Sequence, residues 1–226
     1  MRLRYSALLA IGLLANSIVV AAPAHAAKRI IADWSMRSTA VMVDTAGGND
    51  GKPRNVTAVP GVVGNGYHLD GSSSIVIVPS SDGLNPGRRD FKFMAYLRFD
   101  EPPRTGDYDP IRKGLHDSRG GDYKLELYPN LARTAAQAKC TFMGSTGSAY
   151  VQAGPNLADH LWHKVTCAKT ATTIGLVIDG VSFMKTITVG SISNNAPFVI
   201  GAKYLHAGSA TNWYKGDMDE VRFVVG

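Results

Sequence analysis

Apolar and polar positions alternate with a two-residue period along most of this chain, and each alternating run is closed by Gly, Pro, Asn or Asp. The clearest run is 88–101, where Phe91, Phe93, Ala95, Leu97 and Phe99 point one way and Lys92, Met94, Tyr96 and Arg98 the other. One side is core and the other is wet. AVMVDTAGG (40–48), GYHLDGSSSIVIVP (66–79) and YKLELYPN (123–130) read as further strands, rich in β-branched or aromatic residues. An ordered C-terminal series follows: LWHKVTC (161–167), GLVIDG (175–180), FVIGAK (198–203) and GDMDEVRF (216–223). Asp179-Gly180 and Asp50-Gly51 are pairs of the kind that close hairpins. Helical signals are short: LARTAAQAK (131–139) has helical composition, and NLADHLWHK (156–164) has room for a single turn. Many strands, many turns and almost no helix predict an all-β fold, an antiparallel two-sheet β-sandwich of jelly-roll type.

The first 26 residues have a different pattern. Arg2 and Arg4 precede an apolar stretch, Ala7–Val20, and Ala24-His25-Ala26 is a small-x-small cleavage site, the layout of a secretory signal peptide. The apolar core is shorter than the ~20 residues of a membrane-spanning helix. The expectation is export with cleavage after Ala26, one domain over 27–226, a secreted, extracellular location and no membrane span after cleavage. Loss of Arg2 and Arg4 lowers the formal charge from +6 to +4. That mild excess contains no basic tract, so no nucleic-acid partner is expected. Cys140 and Cys167, in strand-like runs and bound for an oxidising compartment, are expected to form a structural disulfide between neighbouring strands.

The order of these pieces, with ADWSM (32–36), VDTAGGNDG (43–51), GVVGNGYHLDG (61–71) and VIVPSSDGLNP (76–86) ahead of the C-terminal series, resembles the laminin G-like branch of the concanavalin A-like lectin and glucanase superfamily, of the secreted bacterial single-domain type. The resemblance implies a concanavalin A-like jelly roll. It also implies a structural Ca²⁺ held by Asp219, with backbone oxygens near Asp33 and Gly66, a hard-oxygen set of the kind calcium takes. The Trp162-His163 pair is a structural signature in such a family, and no nucleophile motif accompanies His163.

Glucanases of this superfamily carry paired Glu on one strand face in an E-x-D-x-x-E pattern, which this chain lacks. A carboxyl pair assembled from distant strands, such as Glu126 with Asp100 or Asp109, is the remaining arrangement. No catalytic residue is assigned, and a non-catalytic, lectin-like carbohydrate-binding module is expected. Its ligand residues are Tyr96 and Arg98 on one strand and Lys124, Glu126 and Tyr128 on the next clear one, aromatics beside charges that suit a sugar ring and its hydroxyls. The loop residues Tyr108, His116, Tyr204, His206, Trp213 and Tyr214 form a rival location. The partner is a glycan or, alternatively, an extracellular protein engaged by a domain of the same fold; a polysaccharide-degrading enzyme is the lesser alternative.

Overall fold

A computed structural model describes residues 27–205 and 208–226; the signal-peptide reading and His206 fall outside the described residues. In chain order the strands are β1 (Arg29–Trp34), β2 (Lys52–Arg54), β3 (Thr57–Pro60), β4 (Asn65–Asp70), β5 (Ile75–Val78) and β6 (Phe91–Arg98). They continue as β7 (Tyr108–Lys113), β8 (Asp122–Pro129), β9 (Ala136–Gly144), β10 (Gly147–Ala153), β11 (His163–Lys169) and β12 (Thr173–Ile178). The last are β13 (Val181–Thr186), β14 (Phe198–Ile200), β15 (Lys203–Tyr204), β16 (Ala210–Thr211) and β17 (Lys215–Val225). One sheet runs β13-β12-β11-β6-β17-β4-β3 with β1 also on β17, and the other runs β10-β9-β8-β7-β14-β5-β2. The paired strands of both are antiparallel. No described helix is long and apolar enough to cross a membrane.

The alternation in β6 is realised in full: Phe91, Phe93, Ala95, Leu97 and Phe99 are buried, and the residues between them face outward. Their rings meet those of the opposite sheet. Phe93 lies 5.3 Å from Tyr123 and 6.2 Å from Phe142, and Trp34 lies 5.1 Å from Phe198. Such tilted and edge-on contacts add about 0.5–1.5 kcal/mol per pair beyond the area they bury.

Turn chemistry sets the register. Asp179 (φ 49°) and Gly180 (φ 88°) are both left-handed and join β12 to β13 with Ile178 opposite Val181, the two-residue hairpin that an Asp-Gly pair favours. Asp70 ends β4 by accepting the backbone N–H groups of Ser72, Ser73 and Ser74, so the chain reverses into β5.

Two local expectations are corrected, and one short helical signal is overridden. AVMVDTAGG is a loop held by isolated bridges, Trp34 to Asp44 and Met42 to Gly51, because the Asp44 carboxylate gathers the N–H groups of Asp33, Ala46 and Asn49. Asp50 does not close a hairpin; it accepts from Asp44 N–H at 2.8 Å and ties off that loop. LARTAAQAK is a turn followed by β9, whose Ala136, Ala138 and Cys140 point into the core. Tertiary burial there overrides helical composition.

The Cys140–Cys167 disulfide is present, but it joins β9 to β11 across the core instead of linking neighbours in one sheet, with Cα atoms 5.5 Å apart. His163 opens β11 as a clamp: Nδ1 is 2.7 Å from Asp179 and Nε2 is 3.0 Å from Asp159. Burial acts to lower its pKa, yet the two carboxylate hydrogen bonds outweigh burial and the net shift is upward.

Replacing both cysteines by Ala is expected to lower stability by about 3–4 kcal/mol, since the bridge restrains a loop of 27 residues in the unfolded chain, as read from denaturant melts. For His163 the stabilisation is present below the unfolded pKa near 6.5 and is lost as pH rises through the raised folded value. The stability gap between the native chain and His163→Gln should therefore narrow from pH 6 to pH 9 in paired thermal melts.

Candidate functional site

The outward face of the seven-stranded sheet carries the densest polar chemistry. On β8, Tyr123, Leu125 and Leu127 enter the core, so pleating sends Asp122, Lys124, Glu126 and Tyr128 outward. Register places Lys124 beside Thr141, Glu126 beside Lys139 and Tyr128 beside Gln137 on β9. On β10, Tyr150 lies opposite Thr141 and Gln152 opposite Lys139. Lys139 Nζ sits 4.3 Å above the Tyr128 ring and 4.7 Å from that of Tyr150, a cation–π bridge between two tyrosines that stay 38% and 53% exposed.

Glu126 is buried but well partnered. Lys124 Nζ donates to Oε1 at 2.5 Å, the Thr141 hydroxyl donates to Oε2 at 2.8 Å, and Lys139 Nζ stands 3.5 Å away. Burial alone would raise its pKa; Lys124, Lys139 and Thr141 reverse that and hold it below the usual value.

Beside it, β7 departs from regular pairing: Tyr108 faces Leu127 and Ile111 faces Leu125, so three steps on β7 match two on β8. The extra residue reverses the side-chain parity, and Asp107, Asp109 and Arg112 all reach the side occupied by Glu126. Carboxylate oxygens of Asp107, Asp109 and Glu126 lie within 4.8 Å of one another, a triad able to hold a metal ion. Asp109 is 1% exposed and neither of its oxygens has a hydrogen-bond partner; Arg112 Nη1 is 3.4 Å away without forming one. Burial raises Asp107 to about 7, helped by the charge of Asp109, and raises Asp109 to about 6 against the pull of Arg112.

The β15–β16 ribbon covers part of this face, packing Tyr204, Ala210 and Trp213 over Ile75, Ile77 and Val199. Cavities border it on two sides. One of about 750 Å³ is lined by Arg112, Arg119, Asn194 and Tyr204, and one of about 480 Å³ by Asp107, Arg104, Asn212 and Trp213. Buried Lys113 fixes a wall of the larger cavity by donating from Nζ to Ser80 Oγ, the Asn194 and Ala196 carbonyls and Asn194 Oδ1. Of the rival loop residues, Tyr108 and Tyr214 are core, stacked edge-on at 5.7 Å, whereas Tyr204 and Trp213 belong to the ribbon's apolar cluster.

The five expected ligand residues do not share a face. Lys124, Glu126 and Tyr128 are together, but Tyr96 and Arg98 lie on the outer side of the eight-stranded sheet, because β6 and β8 belong to different layers. Arg98 donates to Asp217 Oδ2 from Nε at 2.9 Å and stands 4.7 Å over Trp162, while His68 Nδ1 meets the other Asp217 oxygen at 2.7 Å. His68, Asp217 and Arg98 are cross-strand neighbours on β4, β17 and β6 and serve as a lateral tie.

Of the residues expected around calcium, Asp219 and Gly66 come together and Asp33 is engaged elsewhere. Asp219 is fully buried and accepts from the N–H groups of Val63 and Glu220 at 3.0 and 2.8 Å. A Cβ on Gly66 would stand 2.7 Å from the Met218 carbonyl and 3.2 Å from Asp219 Cβ, so the close approach requires glycine. The Asp33 backbone oxygen instead accepts the Thr45 N–H at 3.0 Å and the Thr45 hydroxyl at 3.1 Å, and its carboxylate takes Arg222 Nη2, on its cross-strand partner, at 2.7 Å. Asp107 and Tyr150 carry no site signal in the side-chain pattern of the sequence. Pro110 inside the β7 run, a residue that breaks strand pairing, was the available signal for the irregularity.

Solved structures of similar shape share the fold at low identity. The binding domain of Paraclostridial Mosquitocidal Protein 1 matches with a TM-score of 0.67 and 14% identity over 86% of this chain and 48% of that one. Botulinum neurotoxin type C, which enters cells through interaction with two ganglioside molecules, matches at 0.65 and 13%, over 86% and 47%. This chain spans about half the length of either. Domain 4 of AbnA, a GH43 extracellular arabinanase from Geobacillus stearothermophilus seen in complex with arabinotriose, matches at 0.62 and 16%, over 88% and 93%. A search of curated protein sequences found no match. Residues 70–224 match the family described as Concanavalin A-like lectin/glucanases superfamily, and the chain belongs to that family.

Proposed function

We propose that this protein is a non-catalytic, lectin-like module that binds a glycan outside the cytoplasm. The observation that carries the reading is the pair of exposed tyrosines, Tyr128 and Tyr150, set across Lys139 beside Lys124 and Thr141, which the buried Glu126 holds in place. A sugar presents apolar C–H faces and a rim of hydroxyls; exposed rings take the first, and fixed charged or hydroxyl groups take the second. The ring positions are held by the sheet register, which limits the side-chain ordering lost on binding. Gangliosides and arabinotriose appear as ligands of two proteins of this fold, which supports the substrate class by analogy.

The acids favour binding over hydrolysis. A glycosidase needs two carboxyls about 5–9.5 Å apart with the scissile bond between them. Here the three carboxylates lie within 4.8 Å, and Glu126 and Asp109 are 3% and 1% exposed, leaving no space for a sugar ring between them. Secretion is supported by the leader-like first 26 residues together with a disulfide, which persists in oxidising compartments.

A glycan array followed by titration calorimetry on the best oligosaccharide tests this. Tyr128→Ala and Tyr150→Ala should each weaken binding about 5- to 10-fold, as loss of one stacking contact of about 1 kcal/mol implies. Tyr96→Ala, on the other sheet, should leave it unchanged. Undiminished binding by both tyrosine variants, or release of reducing ends from the oligosaccharide, would sink the proposal.

A further inference from the structure

Asp107 and Glu126 each bring a carboxylate oxygen within 4.8 Å of the other and of Asp109. Two carboxylates held so close repel unless a proton or a cation stands between them. Asp109 adds a third carboxylate that is buried and accepts no hydrogen bond, whereas native interiors pair nearly all such groups. Arg112 Nη1, 3.4 Å away in an ion pair, likewise forms no hydrogen bond, so the arginine offsets the charge of the acid without filling its lone pairs. This leaves an acid cluster with open coordination sites in the sheet, floored by the irregularity at 108–111 and reached from the cavity that Asp107 lines.

We propose that Asp107, Asp109 and Glu126 form a divalent-cation site and that its ion is Ca²⁺. The donors are all oxygen. Ligands of one calcium at 2.3–2.6 Å can stand up to about 5 Å apart, and the three carboxylates fall inside that span. Zinc is disfavoured because no His or Cys belongs to the cluster. Magnesium is disfavoured because it keeps several of its waters, and all three side chains are buried. The Asn212 amide donates to Asp107 through its nitrogen, and the Asn212 backbone carbonyl takes Asp109 N–H at 2.9 Å, so the segment entering β17 already positions two of the ligands. Lys124 on Glu126 Oε1 is the contact that the ion displaces, and Thr141 retains Oε2. This site is distinct from the Asp219 position, whose carboxylate is occupied by backbone N–H groups on the opposite sheet.

The experiment uses EDTA-treated, dialysed protein and no glycan, so its outcome is separate from that of the binding proposal. CaCl₂, MgCl₂ and ZnCl₂ are titrated by calorimetry and by thermal shift. CaCl₂ should bind one-to-one and raise the melting temperature, with MgCl₂ weaker by at least about 10-fold. Asp109→Asn and, in a more exposed position, Asp107→Asn should each weaken Ca²⁺ binding by at least about 10-fold, while Asp219→Asn leaves it unchanged. Having two independent ligand variants guards against one that fails to fold. The assignment is overturned by the absence of heat and melting shift at millimolar CaCl₂, or by native-like Ca²⁺ affinity in either triad variant.

Discussion

The aromatic layer between the sheets is the constraint on which the rest depends. Phe91, Phe93 and Phe223 project from one sheet and Tyr123, Phe142 and Phe198 from the other, with ring centroids 5.2–6.5 Å apart in the contacting pairs. Once these side chains turn inward, a two-residue pleat leaves each strand a single choice for its remaining positions. A slip of one residue in β8 would carry Lys124 and Glu126 into the core and Tyr123 into water. Burial of the aromatic layer therefore also fixes the polar face outside.

That outer face resolves its charges in two ways. Around Glu126, Lys124 on its own strand and Lys139 and Thr141 across on β9 supply two ammonium groups and a hydroxyl, and the carboxylate is held ionised despite its burial. Around Asp109 the extra residue in β7 brings acids together with Arg112 ion-paired 3.4 Å away but not hydrogen-bonded, and burial pushes the carboxyls upward. The same strand pair thus contains a satisfied acid and an unsatisfied one, separated by one irregularity in pairing. Regular register produces salt-bridged surfaces, and a departure from it concentrates like charge.

Much of the fold was legible in the chain. The β6 alternation and the Asp179-Gly180 turn follow from pleat and turn chemistry, which act over a few residues. The Cys pair was legible as a pair, but its placement across the core was not, since composition alone does not say which sheet a strand joins. The candidate site was legible in part. Lys124, Glu126 and Tyr128 share a face because they alternate along one strand, whereas Tyr96 and Arg98, on a strand of equal amphipathicity, went to the other layer.

The sequence by itself determined the strand-rich architecture, the facing of regular strands such as β6 and β8 and the Asp179-Gly180 turn, because those depend on side-chain periodicity and local backbone preference. Only the tertiary structure decided which outward faces coincide, that Tyr150 joins Tyr128 across Lys139, and that Asp107 and Asp109 meet Glu126. Those juxtapositions arise from strand order and from one extra residue in β7, and both are set by pairing between segments distant along the chain.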